Sequence, residues 1–270
     1  MVLLGGCVDE IASETPALKF RNFSLRCDKS DPKIFFNTPW NWELPRGKRV
    51  AVITESSFLR YQLITSVAGL LPPVSGELIS DGVIGWPVGG EGGLDGKMRI
   101  SHGLNFLSVI YDDCLEKSRI KMHEFWDLLA GMNIHPGDII RELSRTQKDF
   151  FFLALSILFS FDCYLIFQAK FLMSKDAKVL RPFLMRQLEG KALLSTSPSV
   201  RFQKEFCTEG LVIGAHGEVL FSGELLEARQ WAENNLKQPV DSDSEDDNLS
   251  ENMLFKNEES PSDLFDDDVV

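Results

Sequence analysis

The sequence lacks a Lys/Arg-dense stripe, a pair of cysteines at ligand spacing, and an apolar run of membrane length free of charge. Each absence removes a class of function. Without a basic stripe there is no electrostatic footprint for a polynucleotide, so no nucleic-acid partner is expected. The five cysteines, Cys7, Cys27, Cys114, Cys163 and Cys207, are odd in number and scattered, with no CxxC pair. That spacing argues against a disulfide framework or a zinc site and for a reducing compartment. The four histidines, His102, His123, His135 and His216, have no carboxylate or thiol at metal spacing and read as surface residues. Met1 to Glu10 has a short apolar run without a basic segment, so no signal peptide is expected. The longest apolar stretch, Phe150 to Phe167, is interrupted by Asp162. It divides into a helix and a strand and reads as buried core.

What is present is a chain of 270 residues with 44% hydrophobic and 25% charged composition, enough to bury a sizeable core. The net charge of -12 is concentrated at one end, where residues 241–270 hold about twelve Asp and Glu against the single Lys256. The remaining body is nearly neutral. Three regions follow: an N-terminal extension over 1–16, a folded domain over 17–238, and an acidic, Ser-rich tail over 239–270 that is too polar to offset the entropy of ordering. Within that tail, Met253 to Phe255 and Leu264 to Phe265 are two apolar patches of the size of docking motifs, although a solubilising role is the simpler reading.

Along the domain, Ala17 to Cys27 and Lys33 to Glu43 alternate apolar and polar residues, as the strands of an antiparallel layer do. Lys48 to Thr54 is apolar without alternation, the pattern of a central parallel strand covered on both faces. Arg60 to Leu70 carries helical spacing and ends at Gly69, before the turn Leu71 to Gly76. The glycine-rich stretch Gly82 to Gly103 leads into helical patterns near Leu104 to Asp112 and His123 to Leu129, so a helical insertion is placed at about 86–140. A helix from Ser144 to Phe159, a buried strand Tyr164 to Phe167, a helix over Lys178 to Leu188 and a strand Ala192 to Thr196 form a βαβ crossover. Gly210 to Gly223 reads as a hairpin turning at His216-Gly217, and Leu225 to Asn234 as a helix.

The order strand, loop, helix, turn and glycine-rich stretch resembles the ATP-binding-cassette ATPases from about Leu18 to Glu233. The phrases AGLLPPVSGEL (Ala68 to Leu78), DGVIGWPVGGEGGLDG (Asp81 to Gly96) and GLNFLSVIYD (Gly103 to Asp112) are most similar to the subgroup that exports capsular polysaccharide or O-antigen. The resemblance implies an α/β, P-loop NTPase-like fold: a mixed β-sheet core, an antiparallel β layer and a helical subdomain.

The chemical motifs of that family are not matched. A phosphate cradle reads GxxxxGK[ST], so that glycine backbone approaches the phosphates, the lysine reaches the β/γ oxygens and the hydroxyl holds magnesium. Here Thr54, Glu55, Ser56, Ser57, Phe58, Leu59, Arg60, Tyr61 and Gln62 occupy the place. Thr54 falls at the first glycine, Leu59 at the second, Arg60 at the lysine and Tyr61 at the hydroxyl. Leu59 adds a side chain where backbone must approach an anion, Glu55 adds a repelling charge, and a planar guanidinium does not replace an ammonium. Where the family carries a magnesium Asp and a catalytic Glu, this sequence has Phe167 and Gln168, and Pro198 stands at the switch histidine. Cys27 takes the place of the adenine-stacking aromatic. The signature loop survives in part as Ser144, Arg145, Thr146 and Gln147, after Leu143, and Asp176 matches the dimer-facing Asp only with an insertion.

The resemblance therefore implies a catalytically silent subunit with no catalytic residue, no metal and no cofactor. ATP with magnesium enters only under the alternative of an active exporter ATPase with divergent motifs. The implied partners are an integral-membrane polysaccharide permease, met through the helical insertion, and a second nucleotide-binding subunit, either a copy of this chain or an active homologue whose site Ser144 would complete. The implied location is cytoplasmic, peripheral on the inner face of the cell membrane. A free regulatory or scaffold protein working through the acidic tail is the remaining reading.

Overall fold

A computed structural model describes residues 15–31, 33 and 35–236. The acidic tail and most of the N-terminal extension expected from the sequence lie outside the described residues. The first strand, β1 (Leu18–Ser24), turns Leu18, Phe20 and Phe23 inward. A strict alternation would expose Phe23, but Asn22 has φ of 47° and the register shifts between Phe20 and Phe23, so a bulge restores the second ring to the core. β1 pairs antiparallel with β2 (Trp40–Leu44) on one side and β4 (Ser75–Ser80) on the other.

The strand expected over 33–43 is shorter than its alternation suggests. Only Trp40–Leu44 forms it, and Phe35 contributes an isolated bridge to Arg26. Pro39 has no N–H to give a ladder, and the Asn37 amide donates instead to the carbonyl of His216. β4 was not visible in the sequence because most of its residues are exposed and none is fully buried, which leaves no apolar alternation to read.

The main sheet has six strands in the order β5-β6-β7-β3-β8-β9. These are β5 (Ile84–Pro87), β6 (Cys163–Ile166), β7 (Ala192–Ser195), β3 (Arg49–Ile53), β8 (Glu209–Ile213) and β9 (Val219–Glu224). All neighbours are parallel except the β8–β9 hairpin. That hairpin turns where expected, at Gly217, whose φ of 78° favours glycine. β5 hides inside the glycine-rich stretch, so Trp86, at the expected start of the helical insertion, belongs to the sheet. The helices begin later, with α2 (Ile100–Ile110), α3 (Asp112–Glu116) and α4 (Met122–Ala130).

Of the remaining helices, α1 (Ser57–Val67) follows β3, and α5 (Arg145–Leu158) precedes β6. α6 (Arg181–Gln187), entered through a 3-10 turn at Lys178–Leu180, leads to β7, and α8 (Leu225–Asn235) closes the described fold. α7 (Val200–Phe206) was missed in the sequence because seven residues give fewer than two turns of periodicity. The 150–167 stretch divides as expected: from Phe150 to Leu158 every residue of α5 is buried, as is all of β6. No helix among the described residues is long and apolar enough to cross a membrane.

Two large apolar clusters fill the interior, one joining α2, α4, α5 and α6 to one face of the sheet, the other joining the antiparallel layer and α1 to the opposite face. In the first, Gln187 is wholly buried. Its Nε2 donates to Ser118 Oγ at 2.8 Å and to the carbonyls of Ile157 and Leu158 at 3.0 and 3.1 Å, while its Oε1 accepts from the Arg119 amide at 3.2 Å. One side chain thus ties α6 to the helical segment and the end of α5. Gln187→Leu removes the partner of the Arg119 amide and of the Ile157 carbonyl, while Leu158 keeps Ser118 Oγ, and should cost roughly 2–3 kcal/mol in denaturant unfolding with an unchanged slope.

Candidate functional site at the carboxyl ends of the parallel strands

β3, β7 and β6 lie side by side, and the chain leaves each at the same end of the sheet. This brings the segment from Thr54, the pair Phe167 and Gln168, and the segment around Pro198 onto one edge, where open α/β sheets place ligands. The helix expected from Arg60 in fact starts at Ser57. Ser56 is its N-cap, in extended conformation, with Oγ accepting from the Leu59 amide at 3.1 Å. Ser57, Phe58 and Leu59 are therefore inside the first turn of α1. Leu59 is fully buried in the second apolar cluster, while Glu55, Ser56, Ser57 and Phe58 are half-buried.

Arg60 is only 9% exposed and folds back on the strand it follows, Nη1 donating to the carbonyl of Thr54 at 3.1 Å. Thr54 is itself buried, and its Oγ1 accepts from the Ser56 amide at 3.4 Å. Gln62 is buried as well. Tyr61 reaches across to the neighbouring strand end, where its ring meets that of Phe167 edge-on with centroids 6.1 Å apart and planes at 74°. Partial burial pushes the Tyr61 phenol above its usual range. Phe167 is buried and Gln168 half-buried.

The segment after β7 is held from below. Gln203 of α7, 1% exposed, donates Nε2 to the carbonyl of Ser197 at 2.8 Å, and its Oε1 accepts from Arg229 Nη1 of α8 at 2.7 Å. Pro198 is buried between Ser197 and the α7 cap, Ser199. The loop after β6 is fixed similarly: Arg181, 7% exposed, donates to the carbonyls of Leu172, Met173 and Ser174 at 3.0, 2.6 and 2.9 Å. Gln203, Arg229 and Arg181 lie in no sequence motif, and α7 is too short for its period to mark Gln203. Cys27 is packed in the second cluster, with burial, then Glu218 and Asp28, pushing its thiol up to about 11.

Ser144, Arg145 and Thr146 do not join this edge within the chain. They lie exposed at the start of α5, and Gln147 is half-buried beside them. Ser144 and Gln147 form a capping box, Oγ accepting from the Gln147 amide at 3.3 Å and Gln147 Oε1 accepting from the Ser144 amide at 3.0 Å. Gln147 Nε2 also donates to the carbonyls of Met132 and Asn133 at 3.1 and 3.3 Å, which binds the end of the helical segment to α5. Ser144→Ala should cost about 1 kcal/mol of stability by thermal or denaturant unfolding, whereas exposed Thr146→Ala should change stability by less than about 0.5 kcal/mol.

No protein-family profile matches the chain. Among curated proteins, it is 29% identical over 179 residues to the polysialic acid transport ATP-binding protein KpsT of Escherichia coli, covering 64% of this chain and 76% of that one. It is 24% identical over 200 residues to the ATP-binding protein BexA of Haemophilus influenzae, covering 70% and 89%. The capsule polysaccharide export ATP-binding protein CtrD of Neisseria meningitidis serogroup B is 23% identical over 174 residues, covering 64% and 79%. Among solved structures, an ATP-binding subunit of an ABC transporter superposes with a TM-score of 0.58 at 16% identity, covering 80% of this chain and 93% of that one. A chain of a metal-chelate type ABC transporter in an inward-facing conformation gives 0.57 at 14% identity, covering 79% and 85%. These likenesses establish the fold as that of an ABC ATPase subunit.

Proposed function

We propose that the chain, similar to the ATP-binding proteins KpsT, BexA and CtrD, is an ATP-binding-cassette subunit of the capsule polysaccharide export type that no longer hydrolyses ATP. The observation that carries the reading is the Tyr61–Phe167 ring contact. It joins the two positions where the family's magnesium hydroxyl and magnesium carboxylate would face each other, and puts hydrocarbon there.

The residues present fit neither the triphosphate nor its metal. A helix N-terminus receives phosphate through amides that are still free to donate. At α1 the Leu59 amide is taken by Ser56 Oγ, and the cation that would meet the phosphates, Arg60, is turned onto the Thr54 carbonyl. Magnesium demands oxygen ligands in near-octahedral array, and Phe167 has none. Gln168 cannot accept a proton from water as a carboxylate does. No step of hydrolysis is derived for this edge.

What the fold retains is a set of surfaces. In this reading, the helical segment α2 to α4 meets an integral-membrane permease, which places the chain on the cytoplasmic face of the membrane. The strand-end edge faces a second nucleotide-binding subunit. If that subunit is an active homologue, exposed Ser144 at the start of α5 supplies the second half of its site, and such a pair hydrolyses at one site only. The reading is tested by phosphate release. Purified chain alone, with magnesium and ATP in excess, should show a rate indistinguishable from its Gln168→Ala variant, and mixing with an active homologue should leave Ser144→Ala as the substitution that lowers the rate. Steady release by the chain alone, lost on substitution of Gln168, would contradict it.

A further inference from the structure

A surface groove of about 350 Å³ lies between α4 and α6, away from the strand-end edge. Its floor is apolar: Leu128 and Met132 from α4 and the turn after it, Phe150 of α5, and Val179 and Phe183 from the 3-10 turn and α6. Val179 is 50% exposed there. The rim carries Glu124 and Asp127. Glu124 is held by Arg186 through bonds of 2.9 and 3.0 Å, so the acid presented outward is exposed Asp127. An apolar floor with a carboxylate at its edge suits a short apolar segment that ends in a cation.

The chain contains such a segment. Met253, Leu254 and Phe255 are followed directly by Lys256, the single cation among the twelve acids of residues 241–270. The other apolar patch of that stretch, Leu264-Phe265, is followed by Asp266, Asp267 and Asp268, which Asp127 would repel. The flanks agree. Lys175 and Lys178, exposed just ahead of Val179, are placed for the acidic residues on either side of the segment.

The chain also leaves the described fold within reach. α8 starts beside the foot of β8, the Leu225 amide donating to Thr208 at 3.2 Å, and passes Gly210, where a Cβ would fall 2.4 Å from that of Ala228. It ends with Leu236 packed against the cluster of Ile53 and Val212 at the carboxyl ends of β3 and β8. The sixteen residues 237–252 span up to about 55 Å when extended, enough to pass around roughly a third of the circumference of a compact domain about 45 Å wide.

We propose that Met253, Leu254 and Phe255 occupy this groove in the same molecule, with Lys256 against Asp127. The docked segment covers the apolar floor and neutralises part of the basic flank, and a partner that binds the groove must displace it. This does not depend on whether the chain hydrolyses ATP.

Hydrogen–deuterium exchange on the full chain tests it, comparing the unsubstituted protein with Leu254→Asp/Phe255→Asp. Both substitutions lie outside the described fold, so the domain itself is not disturbed. Amides of α4 and of 178–184 should exchange about tenfold faster in the double variant, at a rate independent of protein concentration. Asp127→Lys should raise the same rates, and adding Lys256→Asp should bring them back. Equal rates with and without the two Asp substitutions, protection that grows with protein concentration and so comes from a second copy, or an Asp127→Lys effect that Lys256→Asp fails to reverse would each overturn it.

Discussion

Buried arginines hold the loops that end the parallel strands, and most of what distinguishes this molecule depends on them. Arg60 closes onto the carbonyl of Thr54 after β3, Arg181 onto three successive carbonyls after β6, and Arg229 onto Gln203, which in turn holds Ser197 after β7. A guanidinium removed from water must find acceptors or destabilise the fold by several kcal/mol. Here the acceptors are loop carbonyls, the Gln203 amide oxygen and, for Arg229 and Arg181, the carboxylates of Glu233 and Glu205, so loops and guanidinium groups hold each other in place. In a phosphate-binding fold the same edge is organised around an anion and a metal. In this chain buried arginines brace the same loops.

That substitution explains why the surrounding side chains can be apolar. With Arg60 turned inward, the space ahead of α1 is free for Tyr61 and Phe167 to meet, and Leu59 can sink into the cluster beneath the antiparallel layer.

Elements whose residues are buried in a regular pattern were readable in the sequence: β3, β6 and β7 as apolar runs, α5 as a long apolar helix, and the hairpin from its glycine. Elements that are exposed or very short were not. β4 is a mostly exposed edge strand, β5 is four residues inside a glycine-rich stretch, and α7 is too short for its period to register. At the site, likeness to the family's spacing was enough to single out Leu59, Tyr61, Phe167 and Pro198, which the fold brings to the strand-end edge and its buried surroundings. The positions of the three arginines carried no such signal, since a buried arginine and an exposed one are the same letter, and only the path of the backbone decides which carbonyls it can reach.

If, as proposed, the strand-end edge is filled from within, it offers a nucleotide nothing to bind. Calorimetric titration of the purified full chain with magnesium and ATP tests this most directly. No saturable heat in the micromolar range is the result that follows from the geometry; micromolar binding that disappears in an Arg60→Ala/Tyr61→Ala variant would contradict it.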